Sequence, residues 1–217
     1  ESVFLATLQG LTGQDVAASS DSTGDVDAGG DAVLEIQRGT VDAAPVFSAE
    51  LLAALGVVFD AIPPSSSASS IAYDGQTLRI TVQLSESVAA SANTANSTLF
   101  VTIAGVDRNA TFDAERSDLS AGRLVYAVNA VAADVSRGVT LGQIDLNGAQ
   151  IRDGAGNALT IAGLNPLLGA VEVAEGASLT FRGGFSGAGD FVKTGSGELI
   201  LSGNNTHTGK TIVQGGT

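Results

Sequence analysis

Alternating apolar and polar residues mark several short strands in the middle of the chain. In the stretch TLRITVQLSE (77–86), apolar residues occupy every second position: Leu78, Ile80, Val82 and Leu84. A period of two predicts a strand with one buried and one solvated face. The same alternation recurs in residues 97–105 and 123–131, and residues 138–159 hold two more short strands. Turn signals between these strands predict an all-β fold with a β-sandwich in this part of the chain.

The last quarter of the chain has shorter strands and more glycine. Its stretch GSGELILSGNNTHTG (195–209) holds one brief apolar alternation between turn residues. A strand this short gains stability only by stacking on similar strands above and below it. We therefore predict rungs of a β-solenoid, with Leu199 and Leu201 pointing inward and Asn204 or Asn205 bonding the corner backbone. Such a stack needs about three or more repeats, so we expect the natural polypeptide to continue.

The first 64 residues differ from the rest in charge, with ten acidic residues and one base. The polar first half of QDVAASSDSTGDVDAGGDAVLEIQRG predicts a mobile loop before a strand at residues 32–37. Residues 43–62 are apolar but contain two acids, and they predict buried segments or a short helix and not a membrane span. The linker IPPSSSASS (62–70) predicts a boundary. The predicted parts are an acidic N-terminal region (1–64), a β-sandwich (65–167) and solenoid rungs (168–217).

Composition narrows the class of partner. The 217 residues include 23 acids against 10 bases, a formal net charge of -13, with Lys193 and Lys210 as the only lysines. Phosphate binding needs clustered cations, which argues against nucleic acid or anionic lipid as a partner. The chain has no cysteine, so neither disulfides nor thiolate metal sites are available to it.

With these residues in view, GDFVKTGSGELILSGNNTHTGKTIVQGGT (189–217) resembles the autotransporter-associated β-strand repeat. The matching residues are Gly189, Phe191, Lys193, Gly195, Gly197, Leu199, Leu201, Gly203, Asn205, Gly209, Thr211, Val213 and Gly216. Phe191 stands one residue early for the usual apolar position. His207 stands where the family usually has Tyr, and we expect this departure to remove an aromatic ring that would stack along the repeat.

Residues 71–163 are similar to a bacterial immunoglobulin-like module that occurs in tandem in large surface adhesins. The similarity lies in DGQTLRITVQLSESV (74–88), FVTIAGVDRNATF (100–112) and IDLNGAQIRDGAGNAL (144–159). Residues 1–64 match no family that we can name. Together the two resemblances imply an immunoglobulin-like β-sandwich followed by the start of a right-handed parallel β-solenoid.

The resemblance to the repeat implies a type V secreted protein, exported across the outer membrane and then surface-exposed or secreted. We expect a non-catalytic passenger segment that acts in adhesion or as a stalk. Its expected partner is a host or cell-surface protein, a glycan or another copy of itself, without direct membrane insertion by this segment. Two alternatives stay open: a secreted enzyme whose catalytic residues lie outside this chain or in residues 1–64, and a self-assembling surface fibre.

Candidate catalytic residues are sparse. His207 is the only histidine and lies in a predicted corner, where a solvated turn residue is the expected role. Asp113, Glu115 and Asp118 could form a glycosidase pair, but their setting, DAERSDLSAG, predicts a polar loop between strands. No nucleophile, zinc-protease or nucleotide-binding motif is present in the sequence. We therefore expect no enzyme activity from this segment.

Calcium is the most credible chemistry, because carboxylate and carbonyl oxygens are its preferred ligands. The turn DGAGN offers Asp153 and Asn157, and Glu86 ends a strand that the module resemblance would place near by. A second group, Asp25, Asp27 and Asp31, has the alternating spacing of a calcium loop but lacks a Glu at the twelfth position. Both groups also have a simpler interpretation, as a turn selected for its backbone geometry or as a disordered acidic loop.

Overall fold

A computed structural model describes residues 2–13, 15–18, 23–24, 36–38, 58–59, 62–90, 93–160 and 168–217. The chain divides into two compact units: Glu1–Pro63 with Gly154–Asn157, and Pro64–Asp153 with Ala158–Thr217. The predicted boundary after residue 64 lies beside this division. The predicted boundary between residues 167 and 168 has no counterpart in it, because both sides belong to the second unit.

The first unit contains a helix that the sequence pattern did not predict. Helix α1 spans Ser2–Thr12 and ends at Gly13, which has φ +66° and donates its backbone N–H to the carbonyl of Gln9 at 2.7 Å. A glycine in the left-handed region is a common helix terminator, so Gly13 is the signal that could have revealed this helix.

Among the described residues of the first unit, four short strands accompany the helix. They are β1 (Val16–Ala18), β2 (Thr23–Gly24), β3 (Ile36–Arg38) and β4 (Val58–Phe59). β1 pairs with β3 and β2 with β4, both antiparallel. The predicted polar loop therefore contains two short strands, and the predicted strand at 32–37 is described only from Ile36 onward. Of the predicted buried segments or short helix at 43–62, only β4 and the exposed Ile62 are described.

The second unit is built mostly of β-strands. Its antiparallel strands are β5 (Ser66–Tyr73), β6 (Thr77–Leu84), β7 (Ala89–Ala90), β8 (Thr98–Ile103), β9 (Val106–Phe112), β10 (Arg123–Asn129), β11 (Val139–Asp145) and β12 (Ile151–Arg152). A 3₁₀ turn covers Thr94–Asn96 and a one-turn helix, α2, covers Ala132–Val135. The later strands are β13 (Leu168–Val173), β14 (Ser178–Phe181), β15 (Phe191–Thr194), β16 (Glu198–Leu201) and β17 (Thr211–Val213).

Eleven of these strands form one continuous hydrogen-bonded sheet. Its order is β16-β14-β11-β8-β9-β10-β6-β5-β13-β15-β17. The six strands from β11 to β5 pair antiparallel, and the strands at either end pair parallel. The all-β prediction is thus confirmed for the body of the second unit. The immunoglobulin-like sandwich is not confirmed, because eleven strands share one sheet and the second unit's other described pairing is only the two-stranded sheet of β7 and β12.

The predicted period of two sets the core. Along β6 the apolar side chains are buried and the intervening polar ones are only partly buried, as the alternation predicted. Inward residues from both the antiparallel and the parallel strands join one hydrophobic cluster. Its largest members include Tyr73 and Tyr126. The one hydroxyl proton of Tyr73 has two acceptors within reach, the carbonyls of Gly75 at 2.9 Å and Ala130 at 3.1 Å. Burial raises the pKa of Tyr126 to about 12.

The turn between β5 and β6 is held by one carboxylate. Asp74 accepts the backbone N–H of Thr77 at 2.7 Å and that of Gln76 at 2.9 Å, and its other oxygen contacts Arg79 at 2.7 Å. The Thr77 amide and the Arg79 guanidinium favour the ionised form and lower the pKa of Asp74 to about 2. A local side-chain bond of this kind fixes the register of the hairpin.

Candidate functional site

The parallel strands at the two ends of the sheet stack as two columns. In one column β15 pairs with β13 and β17 with β15; in the other β16 pairs with β14. Phe191 aligns with Thr211 and Ser178 with Glu198, an offset of twenty residues. We call each turn of this stack a rung.

The corners between strands are also bonded from rung to rung through the backbone. Amides that donate to carbonyls one rung earlier include those of Ser202 to Phe181 at 2.9 Å, Thr206 to Phe185 at 2.9 Å, Thr208 to Gly187 at 2.8 Å and Gln214 to Lys193 at 2.9 Å. These bonds continue the ladder where no strand is assigned. The same segments that carry the repeat pattern therefore form the stack.

Glycine is needed in the corners chiefly because the rungs lie so close together. A Cβ at Gly203 would overlap the carbonyl oxygen of Gly183, and one at Gly209 would overlap that of Gly189. Neither Gly203 nor Gly209 has a positive φ. Gly195 needs glycine for two reasons, because its φ is +73° and its Cβ would overlap the backbone of the rung before. Any larger residue at Gly203 would force two rungs apart.

Leucines fill the interior of the second column. Leu199 and Leu201 are half-buried against the core, in register with the fully buried Leu179 and Phe181 of the rung before. Ile200, between them, faces outward and is 44% exposed. The predicted inward direction of Leu199 and Leu201 is confirmed.

Lys193 is a buried cation inside the stack, with 2% of its surface exposed. Its ammonium donates to the carbonyls of Thr194 at 2.9 Å, Gly195 at 2.8 Å and Gly215 at 2.9 Å. Three acceptors match the three protons of an ammonium group. Because Gly215 lies 22 residues further on, Lys193 ties two successive rungs together, and burial lowers its pKa.

The sequence pattern matched Lys193 to the repeat but gave it no role. The alternation that places Phe191 inward also places Lys193 inward, two residues on. A lysine at an inward position of a strand was the available signal, since a buried ammonium needs acceptors around it. The pattern could not name those acceptors, because Gly215 is brought close only by the stacking.

The expectation that His207 removes a ring from the stack is wrong. The ring of His207 is half-buried and lies over Phe185 with ring centroids 4.5 Å apart, and Phe185 stacks on Phe191 at the same distance. The histidine therefore keeps a ring in the stack where an aromatic loss was expected, and it is not a solvated turn residue. Its Nε2 lies 3.0 Å from the Thr211 hydroxyl. Asn205 accepts the Phe185 amide at 3.4 Å, in line with the predicted corner bond.

The acidic residues of the DAERSDLSAG loop act as local turn residues. Asp113 contacts Arg116 at 3.1 Å, and Asp118 accepts the Ser120 hydroxyl at 2.7 Å and the Ala121 amide at 3.1 Å. The Ser120 hydroxyl and then the Ala121 amide lower the pKa of Asp118. These contacts hold the loop in shape, as expected of a polar connection between strands.

The residues predicted to bind calcium lie in different parts of the chain. Glu86 lies in the turn after β6, and Asp153 is buried in the second unit, whereas Asn157 belongs to the first unit. Asp25, Asp27 and Asp31 lie outside the described residues. Among the residues that are described, no group of three His, Asp or Glu side chains is placed to hold a metal ion. The calcium prediction stays a prediction.

Comparison with known proteins finds a family-model match at each end of the chain. Residues 191–217 match the family model Passenger-associated-transport-repeat. Residues 1–59 match the family model Domain of unknown function (DUF4347), whose description names no activity. No solved structure matches the chain significantly.

A stretch of 38 residues is 53% identical to the Neisserial autotransporter lipoprotein NalP of Neisseria meningitidis serogroup B, in two strains. The stretch is 18% of this chain and only 4% of the relative. With the repeat match and the stacked rungs, this similarity identifies the chain as a segment of an autotransporter passenger.

Passengers of this kind are exported across the outer membrane and are surface-exposed or secreted. Within the described residues, no helix is both long and apolar enough to cross a membrane.

Proposed function

We propose that this chain is a non-catalytic stalk segment of the passenger, with its rungs forming the start of a right-handed β-solenoid. One observation carries the proposal: backbone groups of each rung bond the rung twenty or so residues later, both in the strands and in the corners. A structure that bonds itself at a fixed period lengthens by adding copies and needs no new contacts. That property suits a stalk that holds a binding surface away from the cell.

Adhesion is the proposed purpose of the stalk, with a host or cell-surface protein or a glycan as partner. The excess of acids over bases disfavours nucleic acid and anionic lipid, which leaves these classes as the better candidates. Self-association through a strand edge is the alternative contact. Immobilised chain should capture cells in a saturable manner that soluble chain competes away. Absence of capture, with normal display of the full passenger, would leave a stalk without adhesion.

Stacking also supports a role in export. Each rung that folds outside the cell covers apolar surface of its neighbour, and this burial favours further outward movement without ATP. The relevant residues are Leu199 and Leu201, which face the core, and Glu198 and Ile200, which alternate with them and face outward.

Surface display of the full-length passenger tests this role. The double variant Leu199→Asp with Leu201→Asp places two charges inside the stack, and we expect its display to slow. The matched control, Glu198→Asp with Ile200→Asp, changes the outward face of the same strand and should leave display near the wild-type rate. Equal display of the two double variants, at equal expression, would contradict a role for rung folding in export.

We also propose that calcium binds near Glu86 and Asp153, on the ligand chemistry of these residues alone. Equilibrium dialysis with millimolar calcium would detect this site or a site at Asp25, Asp27 and Asp31. No bound calcium would remove both.

A further inference from the structure

The two columns of rungs begin on the two edges of one antiparallel sheet. We call its six strands β5, β6, β8, β9, β10 and β11 the antiparallel body. Their order places β5 at one edge and β11 at the other. β13 pairs parallel with β5, and β14 pairs parallel with β11. Each edge of the body is thus occupied by the first strand of one column.

Backbone hydrogen bonds extend the β5–β13 and β11–β14 pairings past the ends of β13 and β14. Ala174 donates its backbone N–H to the carbonyl of Tyr73 at 2.9 Å, at the end of β13. Arg182 donates to the carbonyl of Val139 at 2.8 Å, at the end of β14. An exposed edge is a template for pairing with any other strand, and here the chain's own rungs take both edges.

The core is continuous across the same junctions. Val171 lies in register with Ile71, and Val173 with Tyr73, and all four side chains are buried. On the other edge Val139 aligns with Phe181, and neither side chain is exposed. The body therefore sets both the register and the inward face of the first rung, since a shift by one residue would turn these side chains outward.

The antiparallel body and the rungs differ in how stable each is expected to be without the other. The body strands are six to eight residues long, and β5–β6 and β8–β9 are hairpins formed by near neighbours in sequence. The last three strands of the stack are three or four residues long, and each pairs with a partner about twenty residues away. Strands that short are stable only against a preformed neighbour.

We propose that the antiparallel body is a template cap. It folds without the rungs, its two edges start the two columns, and it covers the first strand of each column. The rungs therefore depend on the body in order to fold, whereas the body folds without the rungs. This inference concerns how the stack is started, and it holds whether or not the passenger is an adhesive stalk.

Site-resolved amide exchange on the 217-residue chain tests the direction of this dependence. One variant, Leu78→Ala with Leu124→Ala, opens cavities in β6 and β10, neither of which pairs with a rung. The other, Leu199→Ala with Leu201→Ala, makes the same chemical change inside β16. The reporters are the amides of β6 in the body and those of Ser202 and Gln214 in the rungs, measured across a urea series.

In the body variant, we expect the rung amides to be unprotected at every urea concentration at which the body amides are unprotected. In the rung variant, the rung amides should lose protection while the body amides keep theirs. Rungs that stay protected over an unfolded body would overturn the template role, even if the body variant never folds. Loss of body protection in the rung variant would overturn it too, because the two parts would then fold as one unit.

Discussion

Replacing Lys193 by Met should destabilise the stack, because it removes three hydrogen bonds from the interior. The ammonium bonds the carbonyls of Thr194, Gly195 and Gly215 at 2.8 to 2.9 Å. Methionine has a similar length and keeps the apolar contacts of the stem, so the loss is mainly polar. The three carbonyls stay in place without the donor that satisfied them.

The expected loss follows from these bonds. A hydrogen bond to a charged group contributes about 1.5 to 3 kcal/mol, which is offset by the cost of burying the ammonium, a cost that the lowered pKa of Lys193 reflects. We take about 1 kcal/mol for each carbonyl as the net value, or about 3 kcal/mol in all. For a chain of this size, that corresponds to a fall in Tm of about 6 to 12 °C.

The chain supplies its own control, since Lys210 is the only other lysine and its side chain is exposed. Lys210→Met should change stability by less than about 0.5 kcal/mol. Thermal unfolding followed by circular dichroism compares the two variants, and amide exchange at Gln214 locates the loss in the rungs. If Lys193→Met unfolds at the same temperature as Lys210→Met, the ammonium does not hold the rungs together.

Three further changes test the corners, the first hairpin and the ring stack. Gly203→Ala should lower the urea midpoint because its Cβ overlaps the Gly183 carbonyl, whereas Gly189→Ala, with open space around its Cβ, should not. Asp74→Asn should cost about 1 kcal/mol at pH 7. The pKa of Asp74 lies near 2 when folded and near 3.8 otherwise, so its stabilisation is present above pH 4 and is lost toward pH 2. His207→Ala should lose about 1 kcal/mol of ring stacking in thermal unfolding, and His207→Tyr should retain it.

Each of these three predictions would be contradicted by a specific result. Equal midpoints for Gly203→Ala and Gly189→Ala would mean that the rungs can separate without loss. An unchanged slope of stability between pH 4 and pH 2 in Asp74→Asn would assign that slope to other carboxylates. Equal stability of His207→Ala and the wild type would mean that the ring at this position does not stabilise the corner.

Local patterns predicted the strands of this chain well because a period of two reports burial directly. Leu78 and its alternate neighbours, and Leu199 with Leu201, face the core as predicted. The pairing of strands was harder to predict, since it depends on residues far apart in sequence. Alternation gives the face of a strand and not its neighbour, so the single sheet that joins β5 to β13 and β11 to β14 was not foreseen.

Contacts within the stack were also hard to predict, because they join residues far apart in sequence. Gly203 was matched to the repeat, but the sequence did not show why glycine is needed there, which is the closeness of Gly183 one rung away. His207 was expected to interrupt the aromatic stack, yet an imidazole ring is flat enough to lie over Phe185. In both cases the missing fact was the offset of about twenty residues between rungs, which brings these residues into contact but is visible only once the rungs are stacked.

A tandem insertion tests most directly whether each further stretch of about twenty residues adds one rung, as the residues from Phe191 to Thr211 do. Five extra copies of residues 190–209, placed after Gly209, keep the observed register. Stacked strands are about 4.8 Å apart, so the maximum dimension from small-angle X-ray scattering should grow by about 24 Å. A flexible insert of about 100 residues would instead have an end-to-end distance of about 50 to 60 Å. Growth near 24 Å with added β-sheet signal in circular dichroism would support the stalk; coil-like growth, or none, would contradict it.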